Sequence, residues 1–202
     1  WLLQGWLHHA YFPIKYQRLK HPTPDFTDET VIDVYPSFED DNRPLPIVMI
    51  LGGLRGHSQD APGTTIIRRF VQTGRFRCAV AHRRGHCLEI KLKYPKVHIF
   101  GDPHDLAGSI RFLKKQENQE NTEFFLWGCS AGSAHTTMCM GVWDELIRKN
   151  EKDKYGFDAP KISGSVASVP GYDISSCMGR FSEPYNSIIK STLIDHFLVK
   201  KK

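Results

Sequence analysis

The chain has 202 residues, 40% hydrophobic and 24% charged, with 16 Gly and 12 Pro and a formal net charge of +5. That length supports one domain around a sizeable core, and the composition excludes a disordered or fibrous protein. The mild basic excess fits a solvated face or an anionic membrane surface and does not point to nucleic acid. Its members (Arg68, Arg69, the loop from Lys91 to Lys96, Lys114, Lys115, Lys200 to Lys202) are scattered, without the interleaved aromatics of an RNA-binding face.

Five cysteines, at 78, 87, 129, 139 and 177, are odd in number, widely spaced and free of any C-x-x-C pair. This argues against a disulfide framework and against a zinc cluster, and favours a reducing compartment. No apolar run reaches the roughly 18 residues that a bilayer span needs, and the first residues lack the pattern of a signal peptide. Because the chain opens on Trp1, an upstream segment carrying any targeting or anchoring signal is expected.

In chain order, residues 30–35 alternate polar and apolar, as an antiparallel edge strand or hairpin member does. Four short apolar runs follow, at 46–51, 77–81, 123–127 and 162–169, each bounded by Gly, Pro or charge and each reading as a buried strand. Helical patterns lie between them: Ile66, Ile67, Phe70 and Val71 on one stripe, then Leu106, Ile110 and Leu113, then a long segment from Ala131 to about Lys149. Asp102 as cap, Pro103 at the first helical position and Asp105 in the first turn mark the start of the second helix, which makes Asp105 first a structural residue. Residues 181–202 carry Ile188, Ile189, Leu193, Ile194, Phe197 and Leu198 at helical spacing, an amphipathic helix in need of a partner surface. Strands alternating with helices imply an α/β fold with a mostly parallel sheet flanked by helices.

The segment richest in chemistry runs Phe124-Phe125-Leu126-Trp127-Gly128-Cys129-Ser130-Ala131-Gly132-Ser133: an apolar strand, G-x-S-x-G, then a helix. Such a turn is so tight that the serine takes strained backbone angles, and side chains at the flanking glycines would strike the neighbouring strand and helix. The Ser130 hydroxyl is then presented at the carboxyl edge of the sheet, above the positive end of a helix. A second glycine-rich loop, Leu51-Gly52-Gly53-Leu54-Arg55-Gly56, follows an earlier strand and reaches the same edge. The N–H groups of Leu54 and Ala131 are therefore candidates for an oxyanion hole. A phosphate cradle is the rival reading of this loop, but the Lys-Ser/Thr of a P-loop is missing.

With those motifs in place, the chain resembles the α/β-hydrolase family that includes monoacylglycerol-lipase-like and plant embryogenesis-associated hydrolases. Leu3-Gln4, Tyr16-Gln17-Arg18 and Thr23-Pro24-Asp25 resemble the family's entry segment. Residues 51–58 resemble its P-G-L-x-G-x-S loop, with Gly52 in place of the proline. His82-Arg83-Arg84-Gly85 resembles its N-x-R-G turn, and Tyr94-Pro95 with Gly101-Asp102-Pro103-His104-Asp105-Leu106 its T-P and G-D-x-x-D-L stretches. The resemblance implies an α/β-hydrolase fold truncated before its last strands, with residues 1–180 as the N-terminal and central part and 181–202 as the start of a helical cap. It also implies a Ser-Asp-His triad in that order, whose acid and histidine are expected beyond Lys202.

Residues in hand are weaker candidates for those roles. Asp173 follows the strand ending near Pro170, at the edge where some hydrolases place their acid, but a turn residue is the plainer reading. His135, five residues beyond Ser130 on the same helix, points away from the hydroxyl, and His196 lies on the amphipathic tail; both read as packed histidines. His82 and His86 are four apart but flank Gly85 in a post-strand turn, which speaks against a metal-binding helical face. A Cys129 thiol nucleophile is the minor reading. The expected activity is hydrolysis of carboxylic esters, lipid esters by resemblance, through an acyl-enzyme on Ser130 with no metal or cofactor. A non-catalytic binding protein and an acyltransferase using the same elbow are the alternatives.

Overall fold

A computed structural model describes residues 13–54, 56–87, 89–94, 96–169, 183 and 185–195. Six strands form one sheet: β1 Gln17–Pro22, β2 Glu29–Tyr35, β3 Ile47–Leu51, β4 Arg77–Ala81, β5 Phe124–Cys129 and β6 Gly164–Ser168. Their order is β1-β2-β4-β3-β5-β6. β1 and β2 form an antiparallel hairpin whose second strand pairs antiparallel with β4. From β4 through β3 and β5 to β6 every pairing is parallel. The carboxyl ends of these four strands therefore share one edge, and the β1–β2 turn joins them there.

The period of two along β3 divides the core. Ile47, Met49 and Leu51 face one side, where Leu106, Ile110 and Leu113 of α2 (Pro103–Lys114) and Cys139 and Trp143 of α3 (Ala131–Lys149) cover them. Val48 and Ile50 face the other, against Ile67 of α1 (Ala61–Gln72), with Ile66, Phe70 and Val71 packed around it. A strand covered on both faces reads as a continuous apolar run, which is why β3 and β4 were plain in the sequence. A fourth helix, α4 (Tyr185–Ile194), falls in the amphipathic tail.

Of the two readings of residues 30–35, the hairpin member holds and the edge strand does not: β2 lies between β1 and β4, and its polar positions Thr30 and Asp33 are buried along with the apolar ones, against the half-solvated pattern of the alternation. One strand differs from expectation outright. β6 is not buried: it is the last strand of the described sheet, with Val166 56% exposed. Its apolar run matches that of an inner strand, but it has a neighbour on one side only.

Asp102 caps α2 as its position suggested, accepting a hydrogen bond from the His104 amide at 2.7 Å, with Pro103 opening the helix. Among the described residues Cys78, Cys129 and Cys139 are free thiols, no helix is long and apolar enough to cross a membrane, and no three ligand-type side chains are grouped to hold a metal.

Candidate active site

Ser130 sits at the hinge between β5 and α3 with φ 55° and ψ −119°, a conformation L-residues rarely take, and its side chain is exposed. The bend is held by backbone hydrogen bonds: the Ser130 amide donates to the Ser168 carbonyl at 3.1 Å, and the Ser133 amide to the Ser130 carbonyl at 2.9 Å. Ser133 Oγ donates to the Gly128 carbonyl at 3.0 Å, tying the start of α3 back to β5.

Space around the bend explains both glycines. A Cβ on Gly128 would lie 2.2 Å from the Gly132 carbonyl oxygen and 2.3 Å from Thr136 Oγ1, so the strand would strike its own helix. A Cβ on Gly132 would lie 1.9 Å from the Leu51 carbonyl oxygen, so the helix would strike β3.

The glycine-rich loop after β3 reaches the serine. A Cβ on Gly53 would fall 3.4 Å from Ser130 Cβ and 3.8 Å from its Oγ. The loop turns back at once, with the Gly56 amide donating to the Gly53 carbonyl at 2.8 Å. A Cβ on Gly56 would sit 2.8 Å from the Gly53 backbone, which only glycine avoids. Leu54 follows Gly53 and is exposed; Ala131 is the first residue of α3, where a helix N–H has no acceptor within the helix. The three residues proposed from sequence thus cluster at one edge: a strained exposed hydroxyl, a loop amide one residue from its neighbour Gly53, and a helix-terminal amide.

No base accompanies them among the described residues, because the histidines are committed elsewhere. His82 Nε2 is 2.9 Å from Asp33 Oδ2, His98 Nδ1 is 3.1 Å from Asp105 Oδ2, and His104 Nδ1 is 3.5 Å from Asp153 Oδ2. His21 Nε2 meets Ser109 Oγ at 3.1 Å, His57 faces Asp60, and His86 lies against Arg83. His135 is packed, as expected. Its Nε2 donates to the Asp102 carbonyl at 3.2 Å, Gly101 lies on its ring, and burial pushes its pKa down to about 4. Cys129 is half-buried, and burial raises its thiol pKa, which disfavours the thiolate a nucleophile needs. Asp173 and His196 lie outside the described residues.

What the sequence reading missed is the ionic scaffold behind this edge. Arg84, its side chain fully buried, donates from Nε and Nη2 to both Asp105 oxygens, at 3.1 and 2.7 Å, and from Nη1 and Nη2 to both Asp25 oxygens, at 2.9 and 3.1 Å. It thereby joins the β1–β2 turn, the turn after β4 and the first turn of α2. Burial alone would raise the Asp25 and Asp105 carboxyls, but hydrogen bonds from Arg84 and its neighbours prevail and hold both below the usual range. In the same way Asp33 is held low, against its burial, by Arg18 at 2.6 and 2.7 Å and by His82. Three separated segments, 23–25, 82–85 and 101–106, prove to be one spatial unit. Their ordered recurrence was the available signal, while the pairing was invisible in one dimension.

No protein-family model matches the chain, and no curated protein does. Among solved structures it is similar to a lipase/esterase from Lactobacillus plantarum, with TM-score 0.58 and 16% identity over 93% of this chain and 71% of that one. It is also similar to an esterase of Pyrococcus furiosus, with TM-score 0.60 and 16% identity over 88% and 60%, and to an α/β hydrolase from a Penicillium species, with TM-score 0.58 and 14% identity over 90% and 54%. The chain thus spans between half and three quarters of the length of these proteins. Topology and likeness agree: the chain has the α/β-hydrolase fold, a mostly parallel mixed sheet flanked by helices.

Proposed function

We propose that the protein is a serine hydrolase of carboxylic esters and that Ser130 is its nucleophile. The observation that carries this is the Ser130 geometry: an exposed hydroxyl on a φ 55° bend, wedged between Gly128 and Gly132, beside the Gly53-Leu54 loop. Strain of this kind persists only where the surroundings over-determine it, and here two backbone-to-backbone contacts do so.

In this reading Ser130 Oγ attacks the ester carbonyl carbon while its proton passes to a base, and the carbonyl oxygen, now negative, is met by the N–H groups of Leu54 and Ala131. The alcohol departs with that proton, and water releases the acid from the acyl-serine. In this reading the base and its orienting acid are residues other than those described. Asp173 stays the minor candidate for the acid. Motif order resembles the monoacylglycerol-lipase-like branch, so lipid esters are the proposed substrates, met at a membrane surface.

The test is hydrolysis of p-nitrophenyl esters of graded chain length by the protein and by Ser130→Ala. Turnover abolished by the substitution supports the assignment, and equal turnover by both removes it. Adding an alcohol acceptor and analysing products separates hydrolysis from acyl transfer. One observation favours a second reading, a non-catalytic binding protein: no described histidine or carboxylate is bonded to the Ser130 hydroxyl, and a triad serine without its base loses most of its activity.

A further inference from the structure

Arg83 is a buried guanidinium that no carboxylate neutralises among the described residues. Its Nη2 donates to the Gly53 carbonyl oxygen and lies 3.4 Å from His86 Nδ1, while its Nη1 has no hydrogen-bond partner. Its neighbour Arg84 holds two carboxylates; Arg83 holds a backbone carbonyl. Burial pulls its pKa down to about 10, which leaves it charged at neutral pH. An uncompensated buried charge is costly to keep, and an ordinary loop clamp could be made by a neutral side chain.

The bonded carbonyl belongs to the same peptide group as the Leu54 N–H. In a trans peptide the C=O and N–H point in opposite directions, so whatever fixes the Gly53 oxygen fixes the Leu54 hydrogen on the far side. Gly53 is also the loop residue that borders Ser130. We infer that Arg83 is a positioning residue for the oxyanion hole: by gripping the Gly53 carbonyl it orients the Gly53-Leu54 peptide toward Ser130 and polarises its N–H. This rests on the reading of Ser130 as nucleophile and Leu54 as oxyanion donor. The Gly56 amide shares the same acceptor at 2.8 Å, so the carbonyl is gripped from two sides, and the positive charge strengthens the amide as a donor when negative charge develops on the substrate. Arg83 touches no reacting atom. Its effect belongs to the transition state, not to substrate binding.

The experiment measures the rate of Ser130 phosphonylation by a fluorophosphonate, and kcat and KM on a neutral short-chain ester, for the full chain and its Arg83→Met and Arg83→Lys variants, with melting temperatures alongside. Arg83→Met is expected to lower phosphonylation and kcat about tenfold or more while KM moves little, and Arg83→Lys, which restores a cation and a donor, to recover part of the loss. Unmodified protein that labels at Ser130 as fast as Arg83→Met would overturn the role of Arg83 and leave the nucleophile standing. No labelling of the unmodified protein would remove the Ser130 reading and this inference with it. A loss shared between kcat and KM, with lowered melting and no recovery by lysine, makes Arg83 a packing residue and also overturns the inference. Should both variants fail to fold, a crystal structure of the phosphonylated protein decides. The phosphonyl oxygen on the Leu54 amide, with Arg83 still on the Gly53 carbonyl, supports the inference, and a turned peptide contradicts it.

Discussion

Gly132 and Leu51 approach so closely that a Cβ on the glycine would stand 1.9 Å from the leucine carbonyl oxygen. This contact presses the start of α3 onto the end of β3. It sets the Ser130 hydroxyl beside the loop that leaves β3, so the candidate nucleophile and the candidate oxyanion donors are placed by one backbone packing event.

Gly132→Ala should therefore be among the most damaging single-methyl additions in the chain, costing about 3 kcal/mol or more, because backbone stands on both sides of the clash. Gly141→Ala, on the same helix with nothing within 4 Å, should stabilise by about 0.5–1 kcal/mol through helix propensity. Urea melts of the two variants give the comparison, and similar midpoints would contradict it.

The pH dependence follows from His135. Its folded pKa is depressed from 6.5 to about 4, so the unfolded chain binds the proton more readily, and the stability from keeping this ring neutral is present above about pH 6.5 and lost as pH falls toward 4. At 1.36 kcal/mol per unit, the full loss is on the order of 3 kcal/mol. Asp25, Asp33 and Asp105 are also depressed, from 3.8, so their contribution is intact above about pH 4 and fails below it. His135→Gln should flatten the decline between pH 6.5 and 4 and leave the decline below pH 4 unchanged, as read from denaturant midpoints across pH.

Arg84→Met should destabilise by about 3 kcal/mol or more, because it leaves the Asp25 and Asp105 carboxyls part-buried without their guanidinium. The loss should shrink as pH falls below the carboxylate range, where those groups take up protons. A loss independent of pH would show that the arginine acts by volume alone.

The outer edge of β6 makes a prediction about handling. Val166 is 56% exposed in the last strand of the described sheet and Val169, just past its end, 75% exposed, and an open apolar strand edge templates association. The 202-residue chain should express poorly and self-associate in light scattering, and Val166→Lys should raise the soluble, monomeric fraction. Equal scattering by both proteins would contradict this.

The parallel core and the elbow were legible in the sequence for a physical reason. Strands covered on both faces read as apolar runs, as β3 does throughout and β4 does from Cys78 to Ala81, and a helix packed hard on a strand end needs glycine at the contact, as at Gly128 on the strand and Gly132 on the helix. Polar burial was not legible. Asp33 lies on a strand whose alternation reads as half-solvated, yet it is covered and held by Arg18 and His82, partners 15 and 49 residues away. Arg83 and Arg84 look alike as letters, but one holds two carboxylates and the other a carbonyl, a distinction made by the β1–β2 turn and the loop after β3. β6 carries the composition of an inner strand and misled for that reason: composition reports what a strand is built to pack against, and exposure reports what stands beside it.

Ser130 as the nucleophile is tested most directly by mass spectrometry of the protein after treatment with a fluorophosphonate, with peptide mapping of the adduct. One phosphonyl group per chain is expected, on Ser130, lost in Ser130→Ala and slowed by prior unfolding. Modification elsewhere with Ser130 untouched, or labelling that survives Ser130→Ala, would contradict it.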